Sequence, residues 1–101
     1  MEYSVLITKL ALRDIEDVFH YIAVDLKEPQ IATKLKNEIL ICVDSLSTFP
    51  LRNKLVEEEP YRSKGIRRAF IKNYSVMYQI IDQSVLILRV VYNRRDWQSI
   101  I

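Results

Sequence analysis

The chain has 101 residues, 50% of them hydrophobic and 28% charged, with a formal net charge of +2. That length suits one domain spanning residues 1–101, with a core that needs no metal or disulfide staple, and the composition excludes intrinsic disorder. A single cysteine, Cys42, excludes an internal disulfide and reads as core packing in a reducing cytoplasm, while the absence of a basic segment before an apolar run, and of any apolar stretch near the ~20 residues of a membrane span, argues against export and membrane insertion.

Residues 3–7 form a short β-prone run, and Thr8 behind it suits a helix N-cap. The helix that follows shows apolar positions at Leu12, Ile15, Phe19 and Ile22, three and four residues apart. Glu28-Pro29 separates it from a second helix, because proline disfavours helix at the residue before it and suits the first turn of the next. That second helix is expected over residues 30–49, with Ala32, Leu35, Ile39, Val43 and Leu46 on one face. Two such helices joined by a short proline turn make a hairpin suited to covering a sheet.

Residues 50–65 show neither period and contain Glu57-Glu58-Glu59 and the only glycine, Gly65. They read as a long loop, with the glutamates solvated. Three strands follow, over 66–72, 74–81 and 85–92. A two-residue turn at Lys72-Asn73 places Ala69 opposite Val76 and Arg68 opposite Met77, with Asn73 supplying a positive φ. For the next turn a three-residue loop, Asp82-Gln83-Ser84, is expected, because two or four residues would aim Arg89 into the core. The predicted core face is then Ala69, Ile71, Val76, Tyr78, Ile80, Leu86, Leu88 and Val90. The opposite face, Arg68, Phe70, Met77, Gln79 and Arg89, is too apolar and too basic for idle surface and is expected to bind a partner.

Charge divides along the chain. Residues 61–101 carry eight Lys/Arg against two acids, a net +6, and the first sixty residues carry −4. Such asymmetry marks an interaction surface for an anionic or acidic partner. Arg94-Arg95 converges on the same region as Arg67, Arg68 and Arg89, and Trp97 behind it reads as an anchor for the tail or an aromatic offered to a partner. His20 reads as a surface residue, Tyr78 as core with a tethered hydroxyl. No glycine-rich phosphate loop, zinc spacing or nucleophilic triad is present, so no cofactor or metal is expected.

The architecture is therefore α+β: an N-terminal strand, a helical hairpin, then a three-stranded antiparallel meander forming one sheet. Gly65-Ile66-Arg67-Arg68 enters the meander, Tyr74-Ser75-Val76-Met77-Tyr78-Gln79-Ile80-Ile81-Asp82 runs through it, and Arg89-Val90-Val91-Tyr92-Asn93-Arg94-Arg95-Asp96-Trp97 closes it. In that order the chain resembles the RelE/ParE family of bacterial toxins over nearly its whole length. The resemblance implies the growth-inhibiting half of a type II toxin–antitoxin, or plasmid-stabilisation, pair, held in check by a small antitoxin protein.

What such a toxin attacks depends on the branch. RelE-like members cut mRNA in the ribosomal A site without metal, which implies Arg68 and Arg95 as catalytic residues orienting the scissile phosphate, beside a base and an acid that move protons. ParE-like members stall DNA gyrase on cleaved DNA. Ser75 stands where the ribonucleases carry a strand arginine, and Asp96, Trp97 and Ile101 stand in place of their tail histidine or tyrosine. The resemblance is nearer the ParE-like branch; mRNA cleavage and a degenerate, non-toxic binding module stay open as alternatives. The residues expected to meet target or antitoxin are Arg67, Arg68, Phe70, Met77, Arg89, Arg94, Arg95 and Trp97. An acidic, amphipathic antitoxin segment is expected to cover that basic face.

Overall fold

A computed structural model of the chain describes residues 2–93 and 97–99. Strand β1, Ser4–Ile7, ends at Thr8, whose single hydroxyl serves two elements. It donates to the carbonyls of Ile87 and Leu88 at 2.8 and 3.1 Å and accepts from Ala11 N at 3.2 Å, so it ties down the strand end and caps helix α1, Lys9–His20. Ala11, Ile15 and Ile22 form the buried stripe. Leu12, expected there, is 49% exposed, because the stripe runs one position earlier through the smaller Ala11, which allows close approach to the sheet.

A π-helical turn, Tyr21–Asp25, continues α1, and Leu26 N–H bonds back to Tyr21 O at 3.0 Å. Lys27 then takes a positive φ of 57° and Pro29 opens helix α2, Pro29–Ser45, as the proline turn predicts. All five expected apolar positions of α2 are buried, yet the helix stops before residue 49. Ser45 Oγ donates to Cys42 O at 2.6 Å, and Leu46, Ser47 and Thr48 tighten into three-residue bonds that end the helix while still burying Leu46.

Strands β2, Arg67–Ile71, β3, Tyr74–Ile81, and β4, Ser84–Tyr92, form the antiparallel meander, and β1 adds to β4 in parallel, giving a four-stranded sheet in the order β1-β4-β3-β2. Ala69 faces Val76 and Arg68 faces Met77, as the two-residue turn requires, although the positive φ falls on Lys72, at 52°, instead of Asn73. The next turn departs from expectation. Ile81 pairs Ser84 across a two-residue turn, Asp82-Gln83, with Asp82 at φ 55°. A β-bulge then intervenes: Met77 pairs Arg89 while Tyr78 pairs Ile87, leaving Leu88 as the extra residue.

The bulge inverts the parity of half a strand. Val85, Ile87 and Val90 enter the main core, whereas Leu86 and Leu88, expected there, lie on the other face. The constraint that favours a three-residue loop, keeping Arg89 out of the core, is met by the bulge instead. Arg89 Nε and Nη2 donate to the two carboxylate oxygens of Asp14 at 2.7 and 2.9 Å, and Val90 N donates to the same group at 2.9 Å. This bond is the principal reason that Arg89 holds its proton more tightly than usual.

The main core lies between the helices and the sheet and contains Ile15, Ile39, Val76, Tyr78 and Ile87. A second core lies on the opposite face, where Val56, Ile66 and Trp97 cover Met77 and Val91. Residues 50–65 are therefore a packed cover as well as a loop: Leu55 bridges Arg67, and Tyr78 Oη donates to Pro50 O at 2.7 Å while accepting from Asn53 Nδ2 at 3.2 Å. Glu57, Glu58 and Glu59 are exposed, as the solvated reading expects. The apolar sheet face expected to await a partner is in large part satisfied within the chain.

Two measurements test these anchors. Asp14→Ala leaves Arg89 and Val90 N without their acceptor and should cost about 2–3 kcal/mol, lowering the thermal midpoint by roughly 10 °C or more; a midpoint within 3 °C of the parent would show that the clamp is dispensable. Burial raises the Tyr78 hydroxyl above its ordinary 10.0, and Tyr74 is raised for the same reason. The folded protein thus disfavours the phenolate, so stability is full below the unfolded value and falls as pH rises past about 10 through the folded values. Tyr78→Phe, at a cost of about 1 kcal/mol near neutrality, should make that alkaline decline in unfolding free energy shallower.

Candidate functional site

Arg68 leaves β2 on the face away from the helices, diagonal to Ser75 across the β2–β3 hairpin. Its Nε donates to Ser75 Oγ at 2.8 Å and its Nη2 to Asn93 Oδ1 at 3.2 Å. Ser75 Oγ in turn donates to Asn93 Oδ1, closing a three-residue ring of hydrogen bonds. Asn93 is itself fixed where β4 ends, by N–H to Asn73 O at 2.7 Å and Nδ2 to Lys72 O at 3.2 Å. The Phe70 ring centroid lies 4.6 Å and that of Trp97 5.5 Å from the guanidinium carbon, so aromatic rings hold the cation as well.

The result is an arginine fixed before any ligand arrives, with its rotamer entropy already lost. Among the described residues Nη1 meets no acceptor and stays available for an anion. Partial burial pulls Arg68 below its usual pKa, and the Glu58 carboxylate opposes that shift. Arg68 and Phe70 line a cleft of about 480 Å³ with Arg52, Lys54, Glu57 and Glu58. Cations and carboxylates thus face one another across it. Such a cleft can orient an anion or a polar backbone segment; no His/Cys/Asp/Glu cluster able to hold a metal occurs among the described residues.

The remaining expected contact residues divide. Phe70 is 66% exposed beside Arg68. Arg67 points elsewhere, donating Nη1 to Asn53 O at 2.7 Å to strap the 50–65 segment onto β2. Met77 is fully buried and cannot touch a partner, because the second core closes over it. Trp97, 2% exposed and 5.3 Å from the Tyr61 ring, is the anchor of that core; only its contact with Arg68 links it to the cleft. Arg89 is joined to Asp14 on α1 instead of converging on Arg68. Arg94 and Arg95, like Asp96 and Ile101, lie outside the described residues. His20 is exposed on α1.

Sequence reasoning missed Asn93 and the positive role of Ser75. The diagonal between Arg68 and Ser75 follows from the Lys72-Asn73 turn, so a small hydroxyl opposite an arginine was the available signal. No Cα register announces Asn93, since it lies just past the last paired residue, Tyr92.

The model of the ParE toxin of the type II toxin–antitoxin system parDE matches residues 5–97. No curated protein matches the chain significantly. Among solved structures, the chromosomal ParDE TA system from P. aeruginosa aligns with a TM-score of 0.74 and 19% identity over 92% of this chain and 98% of that one. The toxin–antitoxin complex RelBE2 from Mycobacterium tuberculosis aligns at 0.64 and 27% identity, over 92% and 100%. The RelB–RelE antitoxin–toxin complex from Methanococcus jannaschii aligns at 0.54 and 19% identity, over 93% and 96%. No helix among the described residues is long and apolar enough to cross a membrane.

Ser75→Ala tests the ring around Arg68. Removing the fully buried hydroxyl strands Arg68 Nε and should cost about 1–3 kcal/mol. It should also make Arg68 more reactive toward phenylglyoxal, read by peptide mass mapping. Parental stability together with parental reactivity would show that Ser75 does not hold the arginine.

Proposed function

The chain belongs to the ParE toxin family of type II toxin–antitoxin systems, and from that premise we propose that it arrests growth by poisoning DNA gyrase in the cytoplasm. The observation that carries this reading is the state of Ser75. At the strand position where ribonuclease relatives carry an arginine, this chain has a fully buried serine whose hydroxyl is committed to Arg68 and Asn93. A second guanidinium at this fully buried position would have to be desolvated, at a cost of several kcal/mol. The cleft then holds Arg68, fixed by its ring, and Arg52, which already donates to Ser45 Oγ, a pair suited to gripping a partner surface and less suited to spreading charge around a scissile phosphate.

A second reading, ribosome-dependent mRNA cleavage, draws on Glu57 and Glu58, which line the same cleft as Arg68. Either carboxylate is a candidate base for a 2′-hydroxyl, although both are exposed to solvent. Protein contacts through Arg68 and Phe70 require no proton transfer. The antitoxin partner is common to both readings.

Induced expression in a bacterial host, with gyrase-dependent DNA breaks and ribosome-bound mRNA scored in the same cultures, separates them. The expected outcome is growth arrest with DNA breaks and intact mRNA, weakened at least tenfold in inducer response by Arg68→Ala. Cut mRNA would replace the gyrase reading with the second one, and normal growth with neither lesion would indicate a degenerate binding module.

A further inference from the structure

The sheet has two outer edges, and the chain treats them differently. Along β2 the 50–65 segment covers the start of the edge, where Leu55 bridges Arg67 and Arg68 N donates to Lys54 O at 3.4 Å. The other outer strand, β1, pairs with β4 alone. Ser4 N donates to Gln83 O and Thr8 N to Ile87 O, so the even-numbered residues turn their backbone groups toward β4, and alternation turns those of Tyr3, Val5 and Ile7 outward. Tyr3 N is taken by Ser47 O at 2.8 Å. Among the described residues nothing bonds the outward N–H groups and carbonyls of Val5 and Ile7.

Nothing along this edge discourages pairing. Exposed edges are ordinarily protected by a charged side chain, a proline or a bulge. None of these occurs in Tyr3-Ser4-Val5-Leu6-Ile7-Thr8, whose register with β4 is unbroken. Leu6 is 54% exposed, and Ile7 and Leu10 are exposed beside it. Leu6 stands next to Leu86, which places it on the face of the sheet that also carries the Arg68 cleft.

The open groups specify the occupant. Val5 and Ile7 offer one donor and one acceptor each, and a second β1 running antiparallel offers the same set. With Leu6 on a two-fold axis, Val5 of each copy stands opposite Ile7 of the other, the two pairs exchange hydrogen bonds in both directions, and every open group on both edges is used. A foreign strand would bond as well but would present a bare outer edge of its own, whereas a second β1 already has β4 behind it. We infer that this edge pairs with its own copy, joining two four-stranded sheets into one continuous sheet with Leu6 packed on Leu6 across the axis. A contact built on so short a strand is smaller than the ~1,200 Å² of stable complexes, so the dimer is reversible and forms at micromolar concentrations. Because the axis stands perpendicular to the sheet, both Arg68 clefts open on the same side, on β2 strands separated by seven strand spacings, roughly 34 Å.

The test follows the mass of the full chain by sedimentation velocity from about 1 to about 300 µM, where a monomer–dimer transition is expected. Leu6→Lys and Leu6→Glu each set like charges face to face across the axis and should keep the chain monomeric; mixed in equal parts, the two should associate, because opposite charges then meet. Amide exchange at Val5 and Ile7 of the unsubstituted chain should also slow as concentration rises, and this readout decides the matter if either variant fails to fold. A parental chain that stays monomeric throughout, association that survives both substitutions, or a mixture of folded variants that stays monomeric overturns the dimer. Protection of Val5 and Ile7 that appears only when a different protein is added assigns the edge to a foreign strand and overturns it too. None of these readouts scores growth, so the toxin reading stands or falls separately.

Discussion

Past the end of β1, β4 keeps β3 on one side and has no strand on the other, where Asp14 takes the place of the missing neighbour. Its carboxylate accepts from Val90 N and from both arms of Arg89, immediately after the bulge that leaves Leu88 unpaired. Thr8 holds the carbonyls of Ile87 and Leu88 just before it. One helix N-terminus thus pins the backbone on both sides of the irregularity. The geometry matters because a strand alternates faces, and a one-residue slip moves every later side chain across the sheet. With the bulge in place Val85, Ile87 and Val90 enter the main core, and Leu86, Leu88 and Arg89 do not.

The second face follows from the first. Met77 and Val91, turned away from the helices, would expose a broad apolar surface had the chain not returned over them with Val56, Ile66 and Trp97. That cover also builds the cleft. It brings Lys54, Glu57 and Glu58 up beside Arg68, and Trp97 brings a ring to the same guanidinium. The element that buries the sheet and the element that shapes the site are one segment, so stability and specificity are coupled there.

The two faces of this sheet differ in what they leave open: the Arg68 cleft presents a fixed cation with polar walls, and the helix-facing side leaves Tyr21 and Tyr92 half-exposed. The charge asymmetry of the sequence, basic after residue 60 and acidic before, reads differently in this setting: Asp14 and Arg89 discharge part of it within the chain.

Local patterns in the sequence were sufficient for the α+β order, the Thr8 cap, the proline turn, all five buried positions of α2 and the β2–β3 register, because each depends on residues within a few positions of one another. They also located Arg68 and Phe70 on a shared face. The bulge, the burial of Met77 and the Ser75–Arg68–Asn93 ring lay beyond them. Each of these turns on contacts between residues far apart in the chain, such as Asp14 with Arg89 or Val56 with Met77. Hydrophobic period records that a side chain is to be buried, and it carries no information about which distant segment does the burying; that was decided only when the sheet, the hairpin and the 50–65 cover closed on one another.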